Sequence, residues 1–216
     1  MHIFRYLLLA ALMCAVLAAS GCTSSTGPSA PATTVPAAAP SVPLASLALA
    51  PSDIPAVYTL TESRQKTAAD VSSLALELGW QAGYAVTYTN TSAASSDEGT
   101  IVQTITVYPV TGIPGITGVI DKQERLDSDM VFSDIPDPGV GDTSGGYVGK
   151  ARADLVLKTD FSDPLAKEAA ITENRPDVAE LWFSKGSIFE VIRITGPGAD
   201  IPTVTALART AYAKIP

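Results

Sequence analysis

The sequence predicts an α+β domain, a mainly antiparallel sheet with helices packed on its faces. Three observations predict it. Apolar residues alternate with a period of two over residues 83–89 and 100–108, and residues 179–195 hold two apolar runs about a Lys-Gly turn. They recur with helical spacing over residues 67–78, 116–126 and 200–214. The strands follow one another as hairpins rather than alternating with helices, which favours segregated over parallel architecture.

In chain order, residues 47–58 read as a lead-in, with a turn where Asp53 precedes Ile54 and Pro55. Over residues 67–78, Val71, Leu74, Ala75 and Leu78 make a helical stripe. Thr67 is the N-cap candidate with Asp70 three residues on, and Gly79 suits the C-terminal cap. The strand at 83–89 carries Tyr84, Val86 and Tyr88 on one face, and the strand at 100–108 carries Ile101, Ile105 and Val107. The polar residues 90–99 join them as a hairpin loop.

A second helix is predicted at 116–126, burying Ile116, Val119, Ile120 and Leu126. Residues 127–146, acidic and then rich in Pro and Gly, read as a loop. Residues 147–158 read as a strand, and 159–177 as irregular. In the hairpin of 179–184 and 187–195, a two-residue turn at Lys185-Gly186 would pair Ser184 with Ser187 and Trp182 with Phe189. Both faces of 187–195 are largely apolar, which predicts a central strand covered on both sides. The last helix, 200–214, has Pro202 in its first turn and a stripe of Ile201, Val204, Leu207, Ala208, Ala211 and Ile215.

The amino terminus has a different grammar. Arg5 precedes residues 6–19, a stretch without charge, and Ser20, Gly21 and Cys22 follow. A basic start, a short apolar run and small residues form a secretory signal peptide over residues 1–21. The ending on Ser-Gly-Cys resembles a prokaryotic lipobox, which implies a lipid on the sulfur of Cys22, although Ala19 stands where Leu is usual. The alternatives are plain secretion and an uncleaved anchor; fourteen apolar residues fall short of the roughly 20 that span a bilayer.

Cleavage before Cys22 removes His2 and Cys14, the one histidine and the one other cysteine. The processed chain then lacks the imidazole and free thiol of triads and the usual zinc ligands. Neither a phosphate-binding nor a dinucleotide-binding glycine pattern occurs. Nor is a disulfide available within one processed chain, so the fold relies on its core. No cofactor is predicted. The net charge of −8 becomes one unit more negative on loss of Arg5, which disfavours nucleic acid as a partner. The membrane partner is reached through lipid alone, each buried methylene contributing about 0.8 kcal/mol.

Residues 22–46 hold Ser, Thr, Pro and Ala without charge and read as a disordered tether, its hydroxyls open to O-linked sugar. One folded domain follows, residues 47–216. The stretches Ser52-Asp-Ile-Pro55, Pro138-Gly-Val-Gly-Asp142, Phe183-Ser-Lys-Gly-Ser-Ile-Phe-Glu-Val-Ile192 and Leu207-Ala-Arg-Thr-Ala-Tyr212 together resemble the Mog1/PsbP-like sandwiches, including the LpqN-type lipoproteins of bacterial cell envelopes. That resemblance implies a non-enzymatic, extracytoplasmic lipoprotein that binds an envelope component or an apolar ligand. It transfers no functional residue.

Candidate sites are few. Trp80, Tyr84, Tyr88 and Trp182 are aromatics able to line an apolar ligand pocket, against the plainer role of core packing. Asp127, Asp129, Asp134, Asp137 and Asp142 offer oxygen ligands to Ca²⁺, but their spacing is not that of an EF-hand. Glu124 with Asp127, or Glu180 with Glu190, are the carboxylate pairs a glycosidase needs. Asn90 opens an Asn-Thr-Ser glycosylation sequon. A binding protein on the envelope surface is the leading expectation. The alternatives are a carboxylate or Ca²⁺-dependent hydrolase and a structural surface component.

Overall fold

The computed structural model describes residues 42–90, 99–123, 130–151 and 176–216, all within the unit Ala37–Pro216. The strands are β1 (Tyr58–Lys66), β2 (Ala82–Asn90), β3 (Gly99–Val107), β4 (Met130–Asp134), β5 (Thr143–Ala151), β6 (Val178–Lys185) and β7 (Ile188–Thr195). They form one antiparallel sheet in the order β1-β2-β3-β7-β6-β5-β4. Four helices are described: α1 (Leu44–Leu47), α2 (Ser73–Glu77), α3 (Ile113–Gln123) and α4 (Ile201–Tyr212). The α+β class and the antiparallel sheet expected from the sequence are both present.

β7 lies in the middle of the sheet, and its two faces belong to two cores. Ile188, Ile192 and Ile194 join the larger core with Ile101, Ile105, Leu181, Phe183 and the α4 residues Val204, Leu207 and Ala208. Phe189 and Val191 join a smaller core on the opposite face with Trp182, Tyr108, Ile113 and Ala75, beneath α2 and α3. Burying each large aliphatic or aromatic side chain contributes about 1.5–3 kcal/mol, so the larger core dominates the stability of the sheet.

α4 begins as predicted. Asp200 is its N-cap, accepting the Thr203 amide at 2.7 Å, and Pro202 occupies the first turn, where a missing N–H leaves nothing unpaired. Ile201 is the exception in the predicted stripe, because it sits at the exposed start of the helix.

Several expectations are corrected. β1 replaces part of the unassigned stretch before residue 67; it is an edge strand exposed along almost its whole length, so no apolar alternation marks it. The single helix predicted over 67–78 is two pieces. Asp70 accepts both the backbone N–H and the hydroxyl of Thr67, closing a 3₁₀ turn at Ala68–Asp70. Val71 and Ser72 then turn extended, and the Ser72 hydroxyl caps the short α2 through the Ala75 amide at 3.2 Å. α3 starts three residues before its predicted position, since Pro114 is tolerated in a first turn. Residues 124–126 lie outside the described residues.

The stretch 127–146 is not all loop: β4 and the first residues of β5 occupy part of it. Gly145 and Gly146 are strand glycines. A Cβ at Gly145 would run into the Trp182 ring, and one at Gly146 into the Glu180 carbonyl. Gly139 and Gly141 take positive φ in the connection between β4 and β5, as loop residues do. The predicted strand at 147–158 is described only through Ala151.

The β6–β7 hairpin turns one residue later than predicted. Lys185 pairs with Ile188, Ser184 with Phe189, and Trp182 with Val191. The central residues are Gly186, at φ 58°, and Ser187. Placing Gly first and alone at positive φ is the pattern of a II′ turn, whereas Lys185-Gly186 would have put a lysine at that position. Trp182 and Phe189 still meet, as diagonal neighbours stacked at 6.1 Å.

The folded domain also starts earlier than residue 47. α1 begins inside the stretch expected to be tether and ends at Leu47, which with Leu49 and Ile54 is buried in the larger core. Residues 43–54 cross that core without pairing to any strand of the sheet.

Candidate functional site

The four aromatics singled out in the sequence do not share one lining. Tyr84 and Tyr88 point from β2 into the larger core, while Trp80 and Trp182 belong to the smaller one. Their phenols have partners: Tyr88 donates to the Leu49 carbonyl at 2.7 Å, and the Tyr84 and Ser63 hydroxyls share a 2.7 Å hydrogen bond. Burial raises the Tyr88 phenol above its ordinary value, and the nearby Asp53 charge pushes it in the same direction.

The indoles differ. The Nε1–H groups of Trp80 and Trp182 are both buried and have no hydrogen-bond partner among the described residues. A buried donor without an acceptor costs about 1–3 kcal/mol, and most buried indoles find one. Trp182 lies between Phe189, on which it stacks, and Gly145, whose missing side chain makes room for the ring. Tyr108 meets Phe189 edge-on at 6.5 Å, and burial raises its phenol above the ordinary range. The cover over this aromatic layer is incomplete: Val71, Leu78, Trp80, Ile116 and Ile120 pack against it while only partly buried.

The Trp182 face of β6 also carries Glu180. This side chain is almost fully buried and pairs across the strands with Arg193 at 3.3 Å. Glu190 points to the opposite face, since its cross-strand partner is Phe183 and Phe183 is out of phase with Glu180 along β6. The two carboxylates considered as a glycosidase pair are therefore separated by the sheet. The other pair, Glu124 and Asp127, lies outside the described residues.

Asp127 and Asp129 are likewise outside them. Of the remaining acids considered for Ca²⁺, Asp142 accepts the Gly186 amide at 2.8 Å and so braces the hairpin turn. No group of three or more metal-ligating side chains occurs among the described residues. Asn90 ends β2, and the rest of its sequon is outside the described residues, as is Cys22.

Sequence reasoning missed a polar cluster inside the larger core. Glu190 is fully buried, and its Oε2 accepts from Gln103 Nε2 at 2.7 Å. Gln103, also fully buried, accepts the Leu49 amide through Oε1 at 2.7 Å. Lys214 reaches the same segment, donating at 2.7 Å both to the Ala48 carbonyl and to Asp53. The Lys214 hydrogen bond, with help from the Ala50 amide, holds the Asp53 carboxyl below its ordinary value. The signal was in the phase: Glu190 alternates with Ile188, Ile192 and Ile194, and Gln103 with Ile101 and Ile105.

No helix among the described residues is long and apolar enough to cross a membrane. No family model matches the chain. No curated protein matches it in sequence. Among solved structures, the extracellular domain of PknH from Mycobacterium tuberculosis is similar, with a TM-score of 0.51 and 7% identity over 78% of this chain and 92% of that one. At that identity the likeness is one of fold: the chain shares the architecture of an extracellular domain.

Proposed function

We propose that this chain is a lipid-anchored extracytoplasmic surface protein that binds a small apolar ligand, without catalysis, at the aromatic layer beneath α2 and α3. The observation that carries the reading is the pair of buried, unpartnered indole donors of Trp80 and Trp182 in a core whose cover is incomplete. An apolar molecule bearing one or two acceptors would satisfy both donors and complete the packing. The signal peptide and Cys22 supply the anchor, and the likeness to an extracellular domain supports the compartment. The absence of histidine and free thiol from the processed chain supports a binding role over a hydrolytic one. In this reading the finer resemblance is to the Mog1/PsbP-like, LpqN-type envelope lipoproteins, and an envelope protein is the alternative occupant of the site.

The chain has two tryptophans and both are at this site, so intrinsic fluorescence reports on it alone. Native mass spectrometry of the protein isolated from its producing cells should show a bound small molecule. Titration with dodecanol, which can accept an indole hydrogen bond, should change the fluorescence more strongly than dodecane, which cannot. Trp182→Phe should weaken the alcohol preferentially. A chain isolated without any bound molecule, and silent to both probes, ends this reading.

A further inference from the structure

Residues 43–54 are attached to the sheet differently from the rest of the domain. They use no strand pairing; three buried apolar side chains, the partly buried Leu44 and Ala48, and a set of polar clips hold them. Those clips are Leu49 N–H to Gln103, Tyr88 to the Leu49 carbonyl, and Lys214 to the Ala48 carbonyl and Asp53. The first clip is relayed inward, because the amide that accepts from Leu49 is the one that donates to Glu190. The other Glu190 oxygen, Oε1, is buried with no partner among the described residues. A carboxylate in water accepts about four hydrogen bonds. Here one is supplied, on the central strand, at zero exposure.

We propose that residues 43–54 form a releasable strap latched by Glu190 through Gln103, shut over the neutral side chain and freed when the carboxyl ionises. Among the described residues the charged group that acts on Glu190 is Lys214, after α4, which pairs with Asp53 in the strap; Tyr88 on β2 instead donates to the Leu49 carbonyl. β3 presents Ile105 and β6 presents Phe183 as the direct cross-strand neighbours of Glu190. Lys214 favours the ionised form but already serves Asp53 and the Ala48 carbonyl. The Gln103 bond favours it too. Burial outweighs both and lifts the carboxyl from 4.5 to about 7.

Opening the strap would let water reach both Glu190 and Gln103, returning the carboxyl toward its ordinary value. Ionisation and opening are then coupled reciprocally. Because the closed-state value is raised, closure is strongest at and below 4.5 and weakens as pH rises to about 7.

Hydrogen–deuterium exchange of the full chain, followed over residues 43–54 at about pH 5 and about pH 8 and corrected for intrinsic exchange, tests this. Protection of the strap should fall on the order of 100-fold between the two, about tenfold for each pH unit by which burial has raised the carboxyl. At both pH values the strap should exchange ahead of β6 and β7. Glu190→Gln, neutral throughout, should abolish the pH dependence. Should that variant not fold, infrared spectra of the unmodified chain serve instead: a buried protonated carboxyl band should vanish over the pH range in which protection falls. Each of four results would overturn the proposal. They are equal protection at the two pH values, strap exchange no faster than that of β6 and β7, a Glu190→Gln variant as pH-sensitive as its parent, and a carboxyl band that titrates while protection stays constant.

Discussion

The indole of Trp182 packs over the Cα of Gly145, its cross-strand partner on β5. This contact explains why a glycine pair that looks like a loop signal sits inside a strand. It also orients the ring onto Phe189 on the neighbouring strand. Gly145→Ala should therefore destabilise the fold by about 1–3 kcal/mol through overpacking. Combined with Trp182→Leu, the same alanine should cost much less, since the obstructing ring is gone. Urea denaturation of the two single variants and the double variant measures the coupling.

Two glycines at positive φ should respond differently to alanine. At Gly186 nothing lies within 4 Å of an added Cβ, so only backbone strain opposes the change. Left-handed backbone costs a non-glycine residue about 1–2 kcal/mol. At Gly141, φ is 77° and the Cβ would also strike the Ser184 carbonyl. Gly141→Ala should accordingly be clearly the more damaging, and thermal unfolding of the pair ranks them. Equal losses would contradict the placement of the β4–β5 connection against β6.

Glu190 should leave its mark on global stability as well. Its folded-state value is raised from 4.5 to about 7, so the folded state binds the proton more tightly than the unfolded chain. Stability from this group is complete below 4.5 and is lost by about pH 7, a loss of about 3 kcal/mol at most. In Glu190→Gln that decline should be missing from the denaturation midpoint plotted against pH.

Asp200 caps α4 with its side chain. Asp200→Ala should cost about 1 kcal/mol, and Asp200→Ser much less, because a hydroxyl also accepts the Thr203 amide. Helix α4 covers the larger core, so the loss should appear in the cooperative unfolding transition rather than as local fraying.

Cys22→Ser should release the chain from membranes. The proposed anchor is a lipid on that sulfur, and no described helix is long and apolar enough to take its place. Fractionation of cells producing each form checks this, together with mass spectrometry of the amino terminus. Membrane retention of the serine variant would show that another segment holds the protein.

Regular elements were legible where one residue's environment repeats along the chain. The β6–β7 segments are apolar on both faces because both flanks are covered, and the α4 stripe recurs because one side packs on the sheet. β1 was illegible for the converse reason, being exposed on nearly every residue. The helix expected at 67–78 failed because two short-range hydrogen bonds, Asp70 to Thr67 and Ser72 to Ala75, competed with a continuous spiral. The candidate site was half legible: Trp80 and Trp182 stood out as aromatics, but nothing local separated them from Tyr84 and Tyr88.

What the amino-acid order determined alone is the α+β class, the central hairpin and the closing helix. Each is written in spacings shorter than about twenty residues. The tertiary structure decided which aromatics share a face, that Glu180 and Glu190 lie on opposite sides of the sheet, and that Leu49, Gln103 and Glu190 touch. These contacts join positions 54 and 87 residues apart, and pairing register, not local pattern, brings such positions together.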